Sequence, residues 1–262
     1  MKKQLLILLC FPLMTLAQQT YVPDDNFEAY LEANGMGNGI ANDDYVTTAN
    51  INTVTHLSLP NSWLFNNDTI YDLTGIEDFT DLYLLDCSFN QLTSLDLSQN
   101  TALYHLDCYT NQLTSLNIIG LTNLRNVQCM ENKITNLDVS SNTDLEVLYC
   151  RENELTSLNL ANGKDSNWVG LYAGTNPNLY CITVDNGAVA WFTDYFTSFF
   201  DNIDPQHYFS NNCSGTTSIQ EHTTNKELLK VTDILGRKTK QTNQPLFYIY
   251  DDGTVEKRIV IE

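Results

Sequence analysis

The feature that most constrains this chain is a recurrence every 21 residues. The stretches "LDCSFNQLTSL", "LDCYTNQLTSL", "VQCMENKITNL" and "LYCRENELTSL" place Cys87, Cys108, Cys129 and Cys150 at a constant 21-residue step. Aligning the cysteines aligns their surroundings. Leu82, Leu85, Cys87, Asn90 and Leu92 correspond to Leu103, Leu106, Cys108, Asn111 and Leu113, then to Leu124, Val127, Cys129, Asn132 and Ile134, then to Leu145, Leu148, Cys150, Asn153 and Leu155. A second apolar pair closes each copy: Leu95 and Leu97, Leu116 and Ile118, Leu137 and Val139, Leu158 and Leu160. Neither the helical period nor plain strand alternation spans a unit of this length, whereas a short strand, a turn and a return segment does. One unit buries too few side chains to offset the entropy of ordering it, so neighbouring units must stack, share strand hydrogen bonds and be capped at the ends.

The pattern LxxLxCxxNxL resembles the leucine-rich repeat family, whose hallmark is LxxLxLxxNxL, with cysteine in the third apolar slot. The resemblance implies an α/β-type leucine-rich repeat solenoid, a curved parallel β-sheet with little helix. The repeats would cover residues 51–180, with caps over 18–50 and 181–217. Irregular copies flank the regular four: Val54, Leu57 and Leu59 upstream, with "SWLFNND" inserted before Ile70 and Leu73, and Trp168, Leu171, Ala173, Asn176 and Leu179 downstream after two extra residues. Parallel strands lie ~4.8 Å apart, so the cysteines should form an inward row acting as small hydrophobes. A straight row does not surround a tetrahedral ion, and neither a metal nor another cofactor is expected. The asparagines should satisfy backbone groups where the chain leaves each strand.

Both ends carry their own signals. "MKKQLLILLCFPLMTLAQQ" reads as a secretory signal peptide over residues 1–17, cut after Ala17: two lysines, an apolar run too short to span a bilayer and a small-x-small site. "PDDNFEAYLEANG" predicts a short capping helix with Asp24 or Asp25 as N-cap, Phe27, Tyr30 and Leu31 on one face and Gly35 as terminator. The stretch Asn42 to Tyr45 lacks the regular DxDxDG calcium loop. Asp68-Thr69-Ile70 resembles a short O-glycosylation motif of some gliding bacteria. Residues 181–217 are dense in aromatics, including Trp191, and read as the C-terminal cap rather than a carbohydrate platform. In an exported chain Cys181 and Cys213, outside the row, are the expected disulfide.

Charge divides the chain. Only 4 of the 13 basic residues but 25 of the 32 acidic ones fall in residues 18–217, whereas residues 218–262 carry seven of each. The step marks a domain boundary near residue 217 and leaves no basic footprint for nucleic acid or an anionic membrane. No insertion of the mature chain into a membrane is expected. The last segment switches to alternating runs, Leu228–Ile234, Leu246–Tyr250 and Val255–Ile261, separated by "LGR" and "DDG". With "DILGR" and "PLFYIYDDGTVEKRIVIE" it resembles the C-terminal sorting domain read by the type IX secretion system of Bacteroidota. The resemblance implies a small antiparallel, β-sandwich-like domain over 218–262. It also implies the secretion machinery as a partner, with Gly236, Arg237, Gly253 and Lys257 as positions that the machinery reads or the fold needs. A small accessory β domain that stays on is the alternative.

Catalysis finds no support. His56 and His105 fall on strands, His207 in the cap and His222 in the linker, none within a nucleophile or metal-ligand motif. The positions that face outward from the strands are the candidate surface: Asp86 and Ser88; His105, Asp107 and Tyr109; Asn126, Gln128 and Met130; Val147, Tyr149 and Arg151; and Tyr172. Tyr, Arg and Met are types enriched at recognition hot spots, although tyrosine is also a good strand residue. The expected function is a secreted, cell-surface, non-catalytic binding protein that holds a protein or glycan on its concave face. A structural or adhesive surface-layer component is the alternative.

Overall fold

The computed structural model describes residues 17–59, 68–163, 168–186, 188–189, 192 and 203–213, together with the backbone of 228–232, 245–250 and 255–259. The proposed signal segment through Leu16, Trp191, Gly236, Arg237 and Gly253 lie outside the described residues. Among the described residues no helix is long and apolar enough to cross a membrane. The chain divides into two compact units, Met1–Cys213 and Ser214–Glu262.

The first unit opens with β1 (Gln19–Tyr21), α1 (Asp25–Ala33), β2 (Tyr45–Thr47) and α2 (Thr48–Ile51), β1 and β2 pairing antiparallel. Next comes the main sheet: β3 (His56–Ser58), β4 (Leu84–Asp86), β5 (His105–Asp107), β6 (Asn126–Gln128), β8 (Val147–Tyr149) and β10 (Gly170–Tyr172), all parallel and in chain order. Leu57, Leu85, Leu106, Val127, Leu148 and Leu171 stand opposite one another along it. All six are buried, because the parallel register returns the corresponding side chain of each coil to the same inward slot. Gly170 pairs with Val147, which confirms the two extra residues in the last coil.

The return segments form a second parallel sheet of β7 (Asn136–Asp138), β9 (Ser157–Asn159), β11 (Cys181–Thr183) and β12 (Tyr208–Ser210). The architecture is a leucine-rich repeat solenoid with strands on both sides of its core. Little helix was expected and little is found: within the repeats the described residues contain one 3-10 turn, Ile76–Asp78. The second sheet was not anticipated, although "TNLDVS" and "TSLNLA" alternate apolar and polar positions as a strand does.

Two polar rows clamp the coils together. Asn111, Asn132 and Asn153 each donate from Nδ2 to the carbonyl of the cysteine in their own coil and of the one before, at 3.0–3.2 Å. Their Oδ1 atoms accept from Leu92, Leu113 and Ile134 of the preceding coil. The expected structural role is therefore met, and it links coils as well as closing turns. A second row went unread in the sequence. Asn100 donates to the Ile76 and Phe79 carbonyls and Asn142 to those of Ile118 and Leu121, both fully buried, with Leu121 itself occupying the slot between them. The residue before each asparagine of the first row, from Phe89 through Thr110, Glu131 and Glu152 to Thr175, has φ of 53–57°. The exit turn is thus left-handed in five coils without a glycine.

Each end is closed by a carboxylate. Asp24 caps α1 by accepting from Asn26 and Phe27 through Oδ1, and its Oδ2 accepts from Tyr71 and Asp72 of the first coil. Gly35 follows the helix at φ 74°, the left-handed conformation that ends it. At the far end Asp204 accepts from Thr175 and Asn176 at 2.7 and 2.8 Å. In an inner coil the corresponding groups, on Thr110 and Asn111, bond to carbonyls of the next coil. Cys181 and Cys213 form the expected disulfide. Thr69, the residue that the O-glycosylation motif would modify, is 8% exposed, and its carbonyl accepts from Asn26.

In the second unit β13 (Leu228–Thr232), β14 (Pro245–Tyr250) and β15 (Val255–Ile259) form one antiparallel sheet, with Lys257 of β15 opposite Phe247. A sandwich partner for this sheet is not among the described residues.

Candidate functional site

Because inward and outward positions alternate along each strand, burial of the leucine and cysteine columns fixes what the main sheet presents outside. One outward column contains Asp86, Asp107, Gln128, Tyr149 and Tyr172 in continuous register. Beside it run His105, Asn126 and Val147, and Tyr109, Met130 and Arg151 follow one residue beyond the cysteine slot. All the sequence-predicted surface residues thus share one sheet face and its exit edge, with one exception. Ser88 is buried, because its hydroxyl folds back onto Asp86 Oδ1 at 2.6 Å.

The face has two chemical halves. On β4 and β5, Asp86 and Asp107 stand directly opposite each other in register. His105 lies 2.8 Å from Asp107 through Nε2. That hydrogen bond raises the imidazole above its ordinary pKa, burial opposes it, and the charges of Asp107 and Asp86 reinforce it. On β8 and β10 the rings of Tyr149 and Tyr172 stack, 4.2 Å apart with planes 3° from parallel. Burial raises the Tyr149 phenol above its ordinary value, as does the neighbouring Tyr172 phenol. Between the halves lie Gln128 and Asn126. At the exit edge Tyr109 meets Phe89 edge-on at 5.1 Å, and Arg151 is ion-paired to Glu152 at 2.7 Å.

One column was missed in the sequence. Tyr83, Tyr104, Arg125 and Glu146 occupy the same repeat position, just after the first leucine of each copy. Tyr83 and Tyr104 stack at 4.7 Å, Arg125 lies 5.7 Å from the Tyr104 ring centre and pairs with Glu146 at 2.5 Å, and His56 flanks Tyr83 at 6.0 Å. The 21-residue step that exposed the cysteines would have exposed this column too.

The reactive groups of the chain face the other way. Cys87, Cys108, Cys129 and Cys150 are free thiols on the inward side. Burial pushes all four up, Cys129 to about 12, and disfavours the nucleophilic thiolate near neutral pH. A group of carboxylates that the sequence did not reveal lies in the N-terminal cap, where ligand atoms of Asp25, Glu28 and Asp44 come within 4.8 Å of one another. The buried Glu28 carboxylate accepts the N–H groups of Asp43 and Asp44, so it is satisfied by the cap's own backbone.

Comparison with known proteins points to one kind of relative. No protein-family model matches the chain. Internalin J of Listeria monocytogenes is 39% identical over 81 residues, which is 31% of this chain and 8% of that protein. The solved functional domain of InlJ from the same organism, described as including a cysteine ladder, is 32% identical with a TM-score of 0.48, over 64% of this chain and 38% of that one. The internalin InlF of Listeria monocytogenes is 21% identical with a TM-score of 0.44, over 72% and 56%. The chain spans well under two thirds of the length of each. The chain has a leucine-rich repeat solenoid, and its repeats are similar to those of internalins.

Proposed function

We propose that this chain is an exported, surface-displayed and non-catalytic recognition protein that binds another protein on the outward face of β4, β5, β6, β8 and β10. The observation that carries the reading is the continuous column from Asp86 to Tyr172, in which ionic, amide and stacked aromatic groups are held in register on a rigid sheet. Preorganised aromatic side chains lose little entropy on binding and supply most of the contact energy at interfaces. Similarity to internalins, the charge step at residue 217 and the secretory pattern of residues 1–17 support export. In this reading residues 218–262 direct secretion through Gly236, Arg237, Gly253 and Lys257.

The test compares the full chain with the Tyr109→Ala/Tyr149→Ala/Arg151→Ala variant, each fluorescently labelled and presented to an array of surface and secreted proteins. Binding that disappears in the variant, with the far-UV spectrum unchanged, supports recognition by this face. Equal behaviour of both chains refutes it and favours a passive surface-layer component. Peptide mass spectrometry of the protein on its native cells tests the export reading, which expects a first residue near Gln18.

A further inference from the structure

From the charge and ring geometry of this face we infer the chemistry of its partner: a protein segment in which a lysine or arginine is followed, three or four residues along an extended chain, by an aromatic or large apolar side chain. The inference rests on the recognition reading above and deepens it.

The first observation is an electrostatic imbalance with nowhere internal to go. Asp86 and Asp107 are in register on neighbouring parallel strands, about 4.8 Å apart. Like charges placed directly opposite each other in a sheet destabilise it. Two guanidinium groups lie near this face, and both are committed elsewhere, Arg125 to Glu146 and Arg151 to Glu152. Asp107 has His105, while the recorded bonds of Asp86 Oδ1 come from the hydroxyl and N–H of Ser88, which bring no charge. Glu131, at the exit edge, adds a further exposed carboxylate. Residues 18–217 carry 25 acids and only four bases, so few internal cations compete with a basic partner for these aspartates. A cation from outside would relieve the repulsion between the two aspartates, and the acidic field would steer it in.

The second observation is independent of charge. Tyr149 and Tyr172 stack on each other, so the pair presents ring edges and hydroxyls as a preformed shelf at the other end of the same column. Such a shelf suits an aromatic or large apolar side chain. Counting strands from the midpoint of β4 and β5 to β8 gives about 12 Å, which an extended peptide covers in three or four residues. Gln128 and Asn126 lie between, where they can bond the peptide backbone.

The experiment selects from a displayed library of random 12-residue peptides on the immobilised full chain. Enriched peptides are then measured against the wild type, Asp86→Asn/Asp107→Asn and Tyr149→Ala/Tyr172→Ala. The expected result is a set of basic peptides with Lys or Arg three or four positions from an aromatic or large apolar residue. Their affinity should fall at least tenfold in each double variant, and on the wild type it should fall steeply between 50 and 200 mM salt. Asparagine is isosteric with aspartate, so the first variant tests charge without removing shape. Neutral or acidic peptides that need the tyrosines but ignore the aspartates would overturn the cationic partner while leaving the face as a binding site. The same outcome with a neutral glycan array would make the ligand a sugar. Peptides indifferent to both variants would overturn the inference and the recognition reading together.

Discussion

Replacing Asn132 with alanine should be among the most damaging single changes in the solenoid, because its buried amide links two coils. Asn132 sits in the coil that follows β6, with 8% of its surface exposed. Its Nδ2 donates to the Cys108 and Cys129 carbonyls at 3.0 and 3.2 Å, and its Oδ1 accepts from the Leu113 N–H at 2.9 Å. Alanine leaves the buried Leu113 donor without this acceptor and two cysteine carbonyls without these donors. A buried polar group left unmade costs about 1–3 kcal/mol. Counting the amide in full and the carbonyls at the low end gives a loss of about 3–5 kcal/mol. Asn132→Asp should be no better at neutral pH, because a carboxylate would face the same carbonyl oxygens. Asn123→Ala is the control: Asn123 is exposed and makes one 2.9 Å bond to the Thr101 carbonyl, so its loss should fall within about 1 kcal/mol. Urea unfolding followed by far-UV circular dichroism measures all three. If Asn132→Ala unfolds within about 1 kcal/mol of the wild type with an unchanged m-value, the reasoning that the row clamps the coils is wrong.

Three further outcomes are expected. The row thiols should resist iodoacetamide at pH 8 in the folded protein and react in 6 M guanidinium, by peptide mass mapping; labelling of Cys108 or Cys129 in the native state would contradict their burial. Because Asp107 raises the His105 pKa, His105 contributes stability that is fully present below its unfolded value of about 6.5 and is lost as pH rises through the folded value. The gap between wild type and His105→Gln should therefore be larger at pH 5.5 than at pH 8.5. His207, whose pKa burial lowers, slopes the opposite way in both chains and cancels in the comparison. Asp24→Ala removes a helix cap worth about 0.5–2 kcal/mol and also frees the Tyr71 and Asp72 amides. Hydrogen exchange should accelerate at residues 25–28 and 71–72 together, whereas acceleration of the helix alone would mean that the cap does not tie it to the first coil.

The 21-residue period determined a great deal by itself. It places Leu85, Cys87 and Asn90 and their equivalents in buried columns, because only one parallel register returns identical side chains to one interior slot. The cap helix was legible because Asp24, Phe27 and Gly35 each act within a few residues, and the disulfide because Cys181 and Cys213 are left over from the row. What the sequence could not reveal depends on groups far apart in the chain. Asp24 reaching Tyr71 and Asp204 standing in for a missing coil both require knowing which backbone groups the stack leaves unpaired. The same holds for the partner surface. The repeat states which residues face outward and, through its 21-residue step, that Asp86 stands beside Asp107, but only the assembled sheet decides that Tyr149 stacks on Tyr172 and that both arginines near the face are already committed. Periodicity fixes the direction of each side chain, whereas interaction energies depend on the distances that stacking sets.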